Sequence, residues 1–383
     1  MSHCNKKMLS FFLTTKCNLC CRYCYNVEER NRIQEQTISF EIAKAAVDWY
    51  FENNVSRHIR FYGPGEPTQE FEMMKEITAY AKRHPNGGNR VTVEIQTNGV
   101  FTKEVREWAL ENINIMWMSF DGMKDIQDYY RPLNPKFSAV FNGQTSAEVL
   151  ESNVKWLIEH KKSRELMVGA RVTINKMNVN KQIDTINYFF ELGIRYVWTD
   201  PLFCSVGNKP VCDETSKLDE CYFGIENYVK NYIDAYKYSK EKGVFWGSFF
   251  AVNFDGESDY HCRCCTPLSA PHITVDGYIS ACDMVLLGAN PYYMKPFVVG
   301  KWNSMNKSFD LYSDKIITLN NRRSTVMQHC EHCSAKMNCG GYCLGETVNE
   351  TGSLYGNNKA KCDAIIRLYK EIGKCEPYDY LHP

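Results

Sequence analysis

Three thiols near the start of the chain, Cys17, Cys21 and Cys24, are separated by three and then two residues and follow an apolar run, Met8 to Leu13. Thiolates within so short a stretch can hold three irons of a four-iron, four-sulfur cluster and leave the fourth iron without a protein ligand. An iron left open in this way is a place for a cofactor or substrate. Near the other end, Cys330, Cys333, Cys339 and Cys343 are separated by two, five and three residues, with Cys265, Gly277 and Cys282 between the two groups. Zinc is an alternative ligand set: Cys17 with Cys20 and Cys21 with Cys24 form back-to-back pairs, and Cys330 with Cys333 and Cys339 with Cys343 repeat zinc-like spacings.

The 383 residues include 18 cysteines. In a reducing compartment such thiols stay free unless a metal holds them, and vicinal pairs such as Cys20 with Cys21 and Cys264 with Cys265 suit a disulfide framework poorly. Lys plus Arg equals Asp plus Glu at 45 each, so no positive field selects nucleic acid or an anionic membrane surface. The apolar run at 8–13 is too short to span a bilayer and leads into cysteines instead of a cleavage site. A cytoplasmic protein with no nucleic acid or membrane partner is expected.

Elements able to position these residues follow from periodicity. Short β-type runs at Leu9 to Leu13, Ile59 to Tyr62, Val91 to Gln96, Ile115 to Ser119, Val168 to Ile174 and Tyr196 to Asp200 alternate with helical patterns. The helical patterns cover Phe40 to Asn53, Glu70 to Arg83, Lys103 to Glu111, Ala147 to His160 and Gln182 to Leu192. Right-handed crossovers would curl six such β/α units into an open α/β barrel with polar residues on its C-terminal rim. A partial (β/α)6 TIM-type barrel over 1–204 is expected, then a helical bridge over 205–254 containing a helix from Leu218 to Glu241. A small cysteine-rich domain over 255–383 should pack on the barrel, since no long linker intervenes.

The triplet, with Tyr23 before its last cysteine, resembles the radical S-adenosylmethionine (SAM) superfamily. Three further segments fit that resemblance, each after a different predicted strand: Gly63-Pro64-Gly65-Glu66-Pro67, Gln96-Thr97-Asn98-Gly99 and Ser119-Phe120-Asp121-Gly122. The first is similar to the family's GGEP motif, with Pro64 in place of a glycine. The resemblance implies that Gly63, Gly65 and Glu66 receive the amino group of SAM, that Thr97 lies in a second cofactor segment, and that Ser119 and Asp121 bind ribose hydroxyls. It also implies reductive cleavage of SAM to a 5′-deoxyadenosyl radical, with a one-electron reductant such as flavodoxin or ferredoxin. Arg171, a charge inside the apolar fifth strand, is expected to meet either the SAM carboxylate or a nearby Asp or Glu.

The later cysteines resemble the SPASM domain of peptide and protein maturases, including anaerobic sulfatase-maturating enzymes. This implies two auxiliary four-iron clusters, and so three in all. Cys330, Cys333, Cys339 and Cys362 would hold the distal one. Cys265, Cys282 and Cys343 would hold the nearer one, with Cys262, or else Cys264, as fourth ligand, or with an iron open to substrate. Asp283 beside Cys282 corresponds to a general base, and a turn cap is the alternative role. Cys4, Cys204, Cys212, Cys221 and Cys375 match no pattern and are expected to be inert thiols. A peptide or protein substrate modified by oxidation or cross-linking is implied. Because the chain starts at the first strand, any leader recognition would fall to a separate protein. A radical SAM dehydrogenase, a tetrapyrrole-modifying enzyme and a non-catalytic iron-sulfur electron carrier are the alternatives.

Overall fold

The computed structural model describes residues 7–24, 26, 33–161, 166–202, 205–206, 209–210 and 223–375. One sheet runs through nearly the whole molecule. Its N-terminal part is parallel: β1 (Leu9–Phe12), β2 (His58–Tyr62), β3 (Thr92–Thr97), β4 (Ile115–Ser119), β5 (Met167–Ile174) and β6 (Tyr196–Pro201) lie side by side in chain order. Between them run α1 (Phe40–Asn53), α2 (Phe71–Arg83), α3 (Lys103–Asn112), α4 (Lys124–Tyr130), α5 (Ser146–His160) and α6 (Gln182–Glu191). This is the parallel α/β partial barrel that the alternation predicts.

Local chemistry explains where the helices begin. Ser39 caps α1 by accepting from the Ile42 N–H, and Thr145 with Glu148 forms a reciprocal capping box at the start of α5. β1 is buried along its whole length, with Leu9, Phe11 and Phe12 fully out of solvent. A strand covered on both faces reads as an apolar run, and the sequence shows one at this point.

No predicted helix covers α4, and two larger features also go beyond the predicted elements. First, the helix after the sixth strand, α7 (Ile225–Lys242), hands the chain to a further strand, β7 (Phe245–Ser248), which pairs parallel with β6. Residues 218–222 of the expected helix lie outside the described residues, as do Cys4, Cys204, Cys212 and Cys221.

Second, the cysteine-rich region joins the same sheet at its opposite edge. β8 (His272–Ile273) pairs parallel with β1, placing His272 beside Ser10, and β9 (Tyr278–Ser280), β10 (Val298–Asn303) and β11 (Ser308–Leu311) continue antiparallel. The edge of the barrel at β1 is thereby covered, which removes a row of unpaired backbone groups. α8 (Ser313–Asn320), α9 (Lys336–Cys339), α10 (Leu344–Thr351) and α11 (Lys359–Ile372) complete the C-terminal part, and α11 packs on α7. Among the described residues, no helix is long and apolar enough to cross a membrane.

Candidate active site

The loop carrying Cys17, Cys21 and Cys24 is tied to the exits of three strands. After β2, the Glu66 N–H donates to the Lys16 carbonyl at 2.7 Å. A Cβ at Gly65 would lie 2.3 Å from that same carbonyl oxygen and 2.6 Å from that of Thr14, so only glycine allows this approach. After β3, Asn98 donates to the Asn18 side chain at 2.7 Å, and Asn18 donates onward to the Val100 carbonyl at 2.7 Å. After β4 and α4, the carbonyls of Tyr130 and Pro132 accept from Arg22 and Cys20, each at 2.9 Å. The strand-end segments therefore shape the thiol loop as well as the space beside it.

Cys17, Cys21 and Cys24 all line one cavity of about 380 Å³, whereas Cys20 is exposed and does not border it. The same cavity is lined by Tyr23, Gly63, Gly65, Glu66, Thr97 and Ser119, and also by Cys262, Cys264, Cys282, Cys343 and Asp283. Every strand-end segment singled out in the sequence thus reaches a single space shared by the two cysteine regions.

Glu66 is buried, and its carboxylate accepts from Thr68 N–H (3.1 Å), Thr68 Oγ1 (2.8 Å), Thr97 Oγ1 (2.7 Å) and the Asn98 N–H (2.7 Å). Burial pushes its carboxyl above the usual carboxylate range, and these four donors oppose that rise. Thr97 acts here through Glu66.

Asp121 does not border the cavity. It is fully buried, accepting from the Tyr23 hydroxyl, from Arg131 Nε at 3.1 Å and Nη2 at 3.3 Å, and from the Thr173 N–H at 3.0 Å. Ser119, by contrast, faces the cavity from the end of β4. Arg131, at the C-terminus of α4, also acts on Cys21: burial pushes this thiol well up, and the nearby guanidinium pulls against that. A fixed positive charge beside a buried thiol favours the thiolate that a metal needs. Arg131 was not legible in the sequence, because α4 is a seven-residue helix with no predicted helical pattern over it.

Arg171 meets a carboxylate of the chain itself, donating to Asp200 Oδ2 through Nε at 3.2 Å and Nη2 at 2.5 Å. Of the two partners considered for it, the structure supplies the acidic side chain. Asp283 lies half-buried with Oδ1 3.9 Å from Cys282 Sγ, and its charge reaches Arg171 across the cavity.

Five thiols gather on the C-terminal side. Cys262 hydrogen-bonds with Cys264, Cys265 and Cys343, contacts that hold its thiol well below the ordinary value, and Cys264 also meets Cys282. Cys262 and Cys264 are both in place to complete the set. α10 is brought against it by Gly345, where a Cβ would stand 2.7 Å from Cys282 Sγ, and Cys343 caps that helix by accepting from the Glu346 N–H at 3.4 Å. Cys330, Cys333, Cys339 and Cys362 form a second group. Burial pushes Cys339 up to about 12, with Cys362 and Cys330 adding to it, and Cys362 up to about 11, with Cys330 and Cys333 adding. Among the described residues, no three His, Cys, Asp or Glu side chains stand together as a single-ion site. Cys375 is buried and takes a 3.2 Å hydrogen bond from the Tyr236 hydroxyl.

Residues 11–200 match the model of the radical SAM superfamily. The chain belongs to that superfamily. It is 26% identical over 195 residues to a serine-type anaerobic sulfatase-maturating enzyme of Bacteroides thetaiotaomicron, a match covering 49% of the chain and 44% of that enzyme's length. It is also 25% identical over 406 residues to the Fe-coproporphyrin III synthase of Methanosarcina barkeri, covering 97% of the chain and 90% of the synthase. The fold resembles that of anSMEcpe solved with bound AdoMet, with a TM-score of 0.74, 16% identity, and 96% and 93% of the two chains covered. That likeness takes in the C-terminal cysteine region of this radical SAM protein as well as its barrel.

Proposed function

We propose that this protein is a radical SAM maturase that abstracts hydrogen from a peptide or protein side chain and completes an oxidation or cross-link with the help of two auxiliary four-iron clusters. One observation carries the reading: a single cavity is bordered by Cys17, Cys21 and Cys24, by the SAM-type strand ends, and by Cys262, Cys264, Cys282, Cys343 and Asp283. The donor sets suit iron-sulfur clusters, with three thiols open to the cavity at one end and two larger thiol groups at the other. When bound and reduced, the first cluster and SAM supply the 5′-deoxyadenosyl radical.

The chain's own residues do the rest. Cys17, Cys21 and Cys24 hold the first cluster, with Arg131 favouring the thiolate at Cys21. Gly63, Gly65 and Glu66 offer the rim of β2 to the SAM amino group, and Ser119 offers a hydroxyl to its ribose. Asp121 fixes the Tyr23 hydroxyl beneath that site. Cys265, Cys282 and Cys343, with Cys262 or Cys264, hold the nearer auxiliary cluster, and Cys330, Cys333, Cys339 and Cys362 the distal one. Asp283 accepts a proton from the substrate, a role that contributes typically ~10²- to 10⁴-fold, and the cluster that the neighbouring thiols would hold would supply the acceptor for the accompanying electron.

A flavodoxin or ferredoxin would supply the first electron, and a separate protein could present a leader. None of the 14 cysteines described is in a disulfide, which fits the cytoplasmic setting proposed here. The peptide reading draws on the fold match to anSMEcpe with bound AdoMet and Kp18Cys peptide. A tetrapyrrole substrate is the second reading, favoured by the match to the coproporphyrin synthase along nearly the whole chain.

The reconstituted, reduced enzyme is expected to release 5′-deoxyadenosine and methionine from SAM under anaerobic conditions. Absence of both products from protein that holds its iron would overturn the radical reading.

A further inference from the structure

Arg60 lies in the middle of β2, three residues before the Gly63 rim, and points its guanidinium into the cavity wall. It is 6% exposed and lines the cavity, with Nε donating to Ser10 Oγ at 3.1 Å and its guanidinium carbon 4.6 Å from the centre of the Tyr62 ring. Among the described residues no carboxylate pairs with it, although every other guanidinium discussed above has an acidic partner: Arg131 has Asp121 and Arg171 has Asp200.

Sheet register sets a second group beside it. Ser10 is the β1 partner of both Arg60 and His272, so the three residues form one rung across β2, β1 and β8. His272 is also 6% exposed and lines the cavity, and its Nδ1 is buried with no hydrogen-bond partner. Burial, and then the charges of Arg60 and Arg263, favour the neutral imidazole, and its Nδ1–H tautomer would present the unpartnered nitrogen as a donor. Arg263 borders the same cavity. The guanidiniums that bear on the cysteine thiols are different ones, Arg131 on Cys21, Arg322 and Arg323 on Cys265, and Arg322 on Cys330.

Burying a guanidinium with a single hydroxyl acceptor and no anion is expensive, unlike Arg322, whose N–H groups are met by carbonyls, and a ligand that brings a negative charge would offset that cost. A planar fork of N–H donors beside an unfilled ring nitrogen matches a carboxylate, which takes two parallel hydrogen bonds from Arg and a third from a neighbour. Tyr62, Trp198 and Phe249 give the surrounding walls an apolar, aromatic character. We infer that Arg60 and His272 form a carboxylate-binding subsite for the substrate, separate from the SAM contacts on the strand ends, so that the substrate carries a carboxylate on an apolar body. This inference rests on the radical SAM reading for its location, while its test reads binding of acid against amide and not turnover.

Equilibrium dialysis of the reconstituted holoenzyme with N-acetylphenylalanine and with N-acetylphenylalaninamide isolates the carboxylate. The acid is expected to bind at least tenfold more tightly than the amide. Arg60→Met should reduce that preference to threefold or less, Arg60→Lys should retain part of it, and saturating SAM should leave the affinity for the acid within twofold. Equal affinity of acid and amide in the wild type, including no detectable binding of either at millimolar concentration, overturns the subsite. So does a preference that survives in Arg60→Met. Displacement of the acid by SAM would assign Arg60 to the SAM carboxylate and overturn the substrate role. Should Arg60→Met fail to fold, the wild-type comparison and the SAM competition still decide. Release of 5′-deoxyadenosine by the wild type, measured in parallel, reports separately on the radical reading.

Discussion

The two cysteine regions are held in opposite ways. Cys17, Cys21 and Cys24 sit on a loop fastened by backbone hydrogen bonds from the end of β2 and the end of α4 and by the Asn98–Asn18 side-chain bond after β3, and all three thiols face the cavity. The C-terminal thiols are wrapped from within. Arg322, fully buried, donates to the carbonyls of Gly340 (3.2 Å), Gly341 (2.6 Å), Tyr342 (3.4 Å) and Leu354 (3.2 Å), fixing the turn between Cys339 and Cys343. Its charge reaches Cys265 in one thiol group and Cys330 in the other. A site that must admit and release a cofactor is fastened at its edges, whereas sites proposed to hold permanent clusters are fastened at their centre.

The strongest test of that contrast removes one region and asks whether the other persists. Replacing Cys17, Cys21 and Cys24 together by Ala is expected to abolish 5′-deoxyadenosine formation while iron falls only from about twelve to about eight per chain, with four irons per cluster. Loss of all the iron would show that the two regions are not independently held.

Arg322→Met attacks the other side. Leaving four buried carbonyls without their charged donor should cost about 3 kcal/mol or more in chemical denaturation and lower auxiliary iron content. Unchanged stability would remove Arg322 as the organiser of the C-terminal sites.

Gly65→Ala sharpens the claim that the first site is fastened at its edge. The added methyl meets the Lys16 and Thr14 carbonyls, so a cost of about 1–3 kcal/mol is expected from overpacking, with slower SAM cleavage and intact auxiliary clusters. A variant with wild-type melting temperature and SAM cleavage would show that the loop tolerates displacement.

Asp283→Asn should have the smallest effect. SAM cleavage is expected to continue while product formation slows about tenfold or more. Turnover of the true substrate at the wild-type rate would leave Asp283 as a turn residue.

The barrel was legible because its strands and helices carry distinct periods and because glycine-rich, polar segments mark the strand ends. Predicted and observed strands differ by at most one residue at either end. β8 and β9, of two and three residues, are too short to show alternation, and their place in the sheet depends on pairing with β1, more than 250 positions away in sequence.

Residue types and spacing alone therefore determined the cysteine sets, the strand-end segments and the parallel architecture, since each rests on neighbours within a few positions. Tertiary structure decided which carboxylates are free and which are used. Asp121 turns inward to Tyr23 and Arg131, Arg171 pairs with Asp200, and Arg60 is left facing the cavity. It also separated Arg322, buried among carbonyls, from the adjacent Arg323, which pairs with Asp259. Two neighbouring arginines are identical as letters. Their partners differ only because folding takes one out of water and leaves the other near it.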